Sequence, residues 1–265
     1  MEYLGNIKKM QSSLEEIVQY ELPIGDDLVP MNQFLGKRLV MEHLHQINCV
    51  KCGRETKKSF AQGYCYPCFI SAPETEECVL RPELCQAHNG IARDMNYATQ
   101  HCLKEHVVYL SLTSGLKVGV TRHTQVPTRW IDQGAVRVIE LARTPNRYTA
   151  GLIEVAMKSH LNDKTNWRKM LTGEITEEFS LPQIKSGLKD RIPENLRDYY
   201  LDEDRAYSIK FPVQTYPVKI KSLNFDKTEV IDGILNGIKG QYLIFEDNSV
   251  INIRKFGGYM IRMSI

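Results

Sequence analysis

The stretch VVYLSLTSGLKVGVTRHTQVPTRW, residues 107–130, decides how the middle of this chain is read. Two apolar runs, VVYLSL and KVGVT, flank a Ser-Gly pair, so the pattern predicts strand, turn, strand. Just past the second run stand Arg122, His123, Arg129 and Trp130. A hairpin that only fills a core has no need of so many long polar groups there.

Downstream, RYTAGLIEVAMKSHL (147–161) is the clearest helix, because Ile153, Ala156, Met157 and Leu161 recur at helical spacing. Glu154 shares a stripe with Ala150, Met157 and Leu161, where an uncompensated carboxylate is costly to bury. A metal or Arg129 would compensate it; the alternative is a carboxylate at the stripe's edge that reaches solvent. In DKTNWRKML (163–171), Asp163 or Asn166 can cap a short helix, with Trp167 turned to the core and Arg168 exposed. In RWIDQGAVRV, Trp130 and Ile131 anchor a helix that Gly134 ends.

Upstream, residues 49–104 lack long periodic elements and hold all seven cysteines. CVKCGRETKKSFAQGYCYPC places Cys49, Cys52, Cys65 and Cys68 as two C-x2-C pairs twelve residues apart. Two such knuckles present four thiolates to one tetrahedral zinc, a structural ion with no position left for water. Lys51, Arg54, Lys57 and Lys58, with Phe60 and Tyr64, form either a nucleic-acid-facing tip or a solvated ribbon end. Cys78, Cys85 and Cys102 lie among His88, His101 and His106. They suit a second zinc of three thiolates and one imidazole, His88 being a candidate for the fourth ligand, or else lone buried cysteines.

Around these pieces, IVQYELPIG and QFLGKRLVMEHL read as strands parted by a GDD turn. Residues 173–204 read as short helices broken by Pro182 and Pro193. From Pro217 the pattern is VKIKSLNF, VIDGILNGI, QYLIFED, SVINIRKF and GYMIRMSI, a small antiparallel barrel or curled sheet that N-terminal strands can complete. The fold class is α+β. Its segments are an N-terminal β segment (1–48), a cysteine-rich zinc-binding module (49–104), a compact α/β core (105–172), an acidic helical connector (173–204) and a C-terminal β-barrel-like segment (205–265).

The net charge of +2 conceals segregation along the 265 residues. Lys+Arg outnumber Asp+Glu by 10 to 4 over 106–172 and by 9 to 5 over 205–265, whereas 173–204 is acidic, 4 against 9. Separate basic segments suit a polyanion such as DNA or RNA. MEYLGNIKKM lacks an apolar signal region, and no apolar run nears the roughly 18 residues of a membrane span. A soluble cytoplasmic protein with no membrane partner is expected.

From Tyr109 onward the order is a strand ending in V-V-Y, a hairpin, a strand K-V-G, Arg129, Glu154 on a helix, and Asn166. Over about residues 105–170 this order resembles the GIY-YIG nuclease superfamily. VGVTRHTQVPTRW is most similar to members whose second strand reads K-I-G-x-T-R. The resemblance implies that Tyr109 aligns or deprotonates water, Arg129 binds the scissile phosphate, Glu154 holds Mg2+ or Mn2+, and Asn166 bonds near the metal-bound phosphate. Val107 stands at the first glycine's position and Lys117 at the second tyrosine's. Lys117 could stabilise phosphate charge, with His123 as a proton carrier, or mark a site that binds phosphate without chemistry. The whole chain resembles an uncharacterised bacterial family with such a core behind a zinc ribbon. Three function classes follow: a metal-dependent nuclease, a catalytically silent nucleic-acid or ribosome binder, and a protein scaffold using the acidic connector.

Overall fold

A computed structural model describes residues 1–161, 166–173 and 180–265. Asp163 therefore lies outside the described residues. The N-terminal part contributes β1 (Glu2–Asn6), β2 (Gln11–Ser13), β3 (Gln19–Ile24), β4 (Asp27–Pro30) and β5 (Arg38–Ile47), then α1 (Tyr66–Ser71). The middle holds α2 (Met95–His101), β6 (His106–Leu112), β7 (Leu116–Arg122), α3 (Thr128–Asp132), β8 (Arg137–Thr144) and α4 (Arg147–Lys158). It continues with α5 (Trp167–Thr172), α6 (Leu181–Leu188) and β9 (Ala206–Ser208). The C-terminal part is β10 (Lys221–Ser222), β11 (Val230–Lys239), β12 (Tyr242–Phe245), β13 (Ser249–Asn252) and β14 (Tyr259–Ser264).

These elements form two compact units, Met1–Ser71 with Lys210–Ile265, and Ala72–Ile209. In the first, a seven-stranded sheet runs β1-β14-β5-β11-β12-β13-β10, beside a three-stranded sheet β2-β3-β4. N-terminal β1 and β5 thus pair with C-terminal β14 and β11, joining the chain's two ends in one sheet. Along β5 as far as His43, and along β14, every second residue is buried, among them Leu39, Met41, Ile261 and Met263, as expected of strands with one face on a core. The expected barrel is corrected: the sheet is open, with β10 pairing β13 in parallel at its edge. Two of the expected C-terminal strands are also shorter, since VKIKSLNF yields only Lys221–Ser222 and SVINIRKF turns 3-10 helical at Ile253–Phe256.

The second unit is built on the hairpin. β6 and β7 pair antiparallel from His106↔Arg122 to Leu112↔Leu116, and the sheet order is β7-β6-β8-β9. β6 is buried along its whole length, being central in the sheet. Val108, Leu110, Val118 and Leu141 pack with Ala150, Ile153 and Met157 of α4 and with Leu181 and Leu188 of α6. Side chains alternate along a strand, so Tyr109, Ser111, Lys117 and Gly119 share the other face. Asn146 starts α4, its side-chain oxygen accepting from Thr149 N at 2.9 Å. Pro182, expected as a breaker, instead lies in the first turn of α6, where its missing N–H costs nothing. Among the described residues no helix is long and apolar enough to cross a membrane.

Candidate metal centres and the hairpin cluster

The first cysteine group is made by a ribbon and a helix. After β5, Cys49 N–H donates to the Arg54 carbonyl at 2.8 Å and Gly53 N–H to the Cys49 carbonyl at 2.8 Å, closing one knuckle. Gly53 has φ +73°, which the turn demands. The second knuckle runs into α1, where Phe69 N–H donates to the Cys65 carbonyl at 2.8 Å. The donor sulfurs of Cys49, Cys52, Cys65 and Cys68 lie within 4.8 Å of one another, and Cys52 and Cys65 sulfurs are 3.8 Å apart. Tetrahedral zinc with bonds of about 2.3 Å separates its thiolates by about 3.8 Å. These four residues fit one zinc. The Arg54 backbone N–H and side chain pull the Cys52 thiol down to about 6. At the ribbon tip, Phe60 packs on Tyr66 and Phe69, with Lys58 Nζ 5.2 Å from its ring, so this aromatic serves a small local core.

The second unit brings Cys78, Cys85 and Cys102 together, all buried, with sulfurs within 4.8 Å of one another. Contacts with Cys102 and Cys78 hold Cys85 well below a free thiol, whereas contacts with Cys78 and Cys85 drive Cys102 up. Arg147, buried at the start of α4, donates to Cys78 Sγ at 3.6 Å. His88 does not join the group: its ring stacks on Tyr148 with centroids 4.2 Å apart. His101 stacks on Tyr97, with its Nδ1 2.9 Å from the Tyr97 carbonyl. His106 Nδ1 lies 2.7 Å from the Lys104 carbonyl, and burial depresses the ring's pKa to about 4. The expected imidazole ligand is therefore corrected to three thiolates among the described residues.

At the hairpin, Tyr109 is fully buried, opposite Gly119 in the strand pair. A methyl at Gly119 would come within 2.7 Å of the Tyr109 ring and hydroxyl, so glycine gives the tyrosine its room. The Tyr109 hydroxyl donates to Gln133 Oε1 at 3.1 Å, and burial pushes its pKa up to about 12. Lys117 is 6% exposed; burial depresses its pKa to about 8, with Arg129 lowering and Glu154 raising it. The charges of Arg129 and Glu154 also both act on Tyr109. Glu154 is buried rather than reaching solvent, and burial raises its pKa, opposed by Lys158. Its Oε2 lies 3.4 Å from Lys158 Nζ but makes no hydrogen bond of good geometry. Ser111 Oγ and Trp130 Nε1 are likewise buried without a hydrogen-bond partner among the described residues.

Arg129 and Glu154 thus each lie within electrostatic reach of both Tyr109 and Lys117. Two other expected site residues do not join them by any described contact. His123 pairs with Glu105 at 3.5 Å, and Asn166 caps α5 by accepting from Arg168 N and Lys169 N. Trp167, expected in the core, is partly exposed with the Arg168 guanidinium 4.3 Å from its ring centre, and Met170 and Leu171 are buried instead. Sequence reasoning missed Gln133, which follows α3 with no distinguishing pattern. It also missed Arg147, whose polar appearance at a helix start gives no sign of burial against a thiol. Gly151 carried a signal, a glycine inside a helix: its Cα faces the backbone of Pro82 and Glu83.

Searches of curated proteins and of solved structures return no match. Residues 36–261, which include both cysteine groups and the whole second unit, match a family described as protein of unknown function, DUF2797. A match over that much of the chain settles its kinship: the protein belongs to the DUF2797 family.

Proposed function

We propose that this chain is a zinc-stabilised nucleic-acid-binding protein whose hairpin module hydrolyses phosphodiesters of DNA or RNA with one Mg2+ or Mn2+ held by Glu154. The observation that carries this reading is the buried Glu154 carboxylate, set among Arg129, Lys117 and Tyr109. Phosphodiester hydrolysis needs positive charge to take up the phosphoryl oxygens' developing negative charge and a group that orients water in line. Arg129 and Lys117 supply the charge. Lys117, with a pKa of about 8, is close enough to neutrality to exchange a proton as well. The Tyr109 hydroxyl, aimed by Gln133, orients the nucleophile, as the GIY-YIG resemblance implies. The two cysteine groups contribute folding energy through zinc.

Full burial of Tyr109 favours a second reading, in which the same module docks nucleic acid or a ribosomal surface without cutting it. The two readings separate in one assay series. Wild-type protein is incubated with single- and double-stranded DNA and RNA, with Mg2+ or Mn2+, and binding is followed against salt. The nuclease reading expects metal-dependent cleavage and affinity that falls steeply with salt, because phosphate contacts release counterions. Binding without cleavage of any substrate supports the silent binder, and flat or absent binding removes both.

A further inference from the structure

Resting on that reading only for metal at the second cysteine group, and not on nuclease chemistry, we propose that Cys78, Cys85 and Cys102 form a single-ion metal centre whose fourth position is filled from solvent and accepts a small uncharged thiol. The sulfurs' spacing within 4.8 Å suits one tetrahedral ion such as Zn2+, and among the described residues no histidine or carboxylate completes the set. A three-ligand zinc keeps a position for an outside ligand.

That position has somewhere to open. A cavity of about 160 Å³ is lined by all three cysteines, and by Leu84, Ala87, Ile91 and Ala92 on its apolar side. Its polar wall groups are already engaged. Glu76 Oε1 accepts from Arg93 N at 3.3 Å, Glu77 pairs with Arg81 at 3.2 Å, and Gln86 Oε1 accepts from Asn89 at 2.8 Å. At roughly 30 Å³ per water the cavity holds about five waters, well under the 300 Å³ or so where drug-sized sites begin. Its occupant is therefore a molecule of a few heavy atoms with an apolar body.

Charge selects the donor. Three thiolates and a divalent ion total −1, and the buried Arg147 guanidinium at Cys78 brings the centre to neutrality. Adding one thiolate gives −1, the same total as the four-cysteine centre with its neighbouring Arg54. A carboxylate-bearing thiol would carry a further charge against the Glu76 and Glu77 wall. In the exchange, the metal–oxygen bond to water breaks, a metal–sulfur bond forms, and the thiol proton leaves to solvent, with no change of oxidation state.

The test uses the full chain reconstituted with Co2+, whose visible bands report its ligands, and titrated with 2-mercaptoethanol. Two Co2+ per chain and a saturable band shift are expected, with Cys85→Ser losing one Co2+ and the shift together. Ala92→Phe, which puts a ring into the cavity and replaces none of the three cysteines, should keep both ions and weaken the thiol response at least tenfold. This variant decides the matter even if Cys85→Ser does not fold. Two bound Co2+ with bands indifferent to the thiol would mean that the protein closes the site, and a single bound Co2+ would mean that three cysteines hold no metal. Either outcome, or an unchanged response in Ala92→Phe, overturns the proposal.

Discussion

Gly151→Ala is a sharp test of how the cysteine-bearing segment is fixed to α4. In an exposed helix this change stabilises by about 1 kcal/mol, since alanine is the better helix former. Here the new methyl would land on the Glu83 amide nitrogen, 2.5 Å from the Pro82 carbonyl carbon and 2.8 Å from Glu83 Cα. Those are backbone atoms and cannot swing aside as a side chain would. The Pro82–Leu84 turn must retreat by about 1 Å to restore ordinary contact, and overpacking against rigid backbone lies at the upper end of the usual range, costing about 2–3 kcal/mol. With the helix gain subtracted, the net loss is about 1–2 kcal/mol. Both tryptophans, Trp130 and Trp167, lie in the Ala72–Ile209 unit, so fluorescence-detected urea unfolding reports on it alone. At roughly 2 kcal/mol per molar urea the midpoint should fall by about 0.5–1 M. Gly187→Ala in α6, where nothing lies within 4 Å of the added methyl, is the control and should leave the midpoint unchanged or raise it. A midpoint that rises equally in both variants would refute the close approach of α4 to the turn.

Three further outcomes follow. Cys52→Ser should release one zinc per chain by elemental analysis and destabilise the unit built from the chain's two ends; full metal content would remove the first centre. Lys117 titrates near 8 when folded against 10.5 when free, so the unfolded chain holds more protons between those values and stability rises with pH across that window. Lys117→Met should abolish that slope in urea titrations and stabilise the neutral-pH protein by up to about 3 kcal/mol, and an unaltered slope would contradict the burial. Gln133→Leu leaves the buried Tyr109 hydroxyl without its acceptor and should cost about 1–3 kcal/mol in the same assay, whereas no cost would mean that the hydroxyl has another partner.

The hairpin was legible because its signals are local: an apolar run, a Ser-Gly turn and a second run fix β6 and β7 within seventeen residues. The four-cysteine group was legible for the same reason, as C-x2-C knuckles are written in adjacent residues, and α4 was legible from the helical spacing of Ile153, Ala156 and Met157, although its cap at Asn146 was not read. Pairing of β5 with β11 and β14 joins residues about 190 and 220 positions apart, and no local pattern encodes which strands meet or that the sheet stays open. Cys78, Cys85 and Cys102 stood out by type, but His88 was misplaced because irregular spacing says nothing of ring direction, and its ring found the face of Tyr148. Of the residues proposed for the hairpin site, the charged ones carried a pattern in the sequence and their supports did not. Gln133 and Gly119 matter only through what Tyr109 touches, and a contact of that kind is visible only once the chain is folded.

The most direct test of the proposed chemistry compares Glu154→Gln with wild type for cleavage and binding of the same nucleic acid, with Mn2+ present throughout. The substitution keeps shape and removes the carboxylate charge that would hold the metal. Because burial already disfavours that charge, the folded protein should be no less stable at neutral pH apart from the small Lys158 contribution. Binding within about twofold of wild type is expected, with single-turnover cleavage lower by at least a hundredfold, since removing charge stabilisation from a transition state typically costs that much. Cleavage by Glu154→Gln at the wild-type rate, or a wild type that binds and never cuts, would contradict the proposed chemistry.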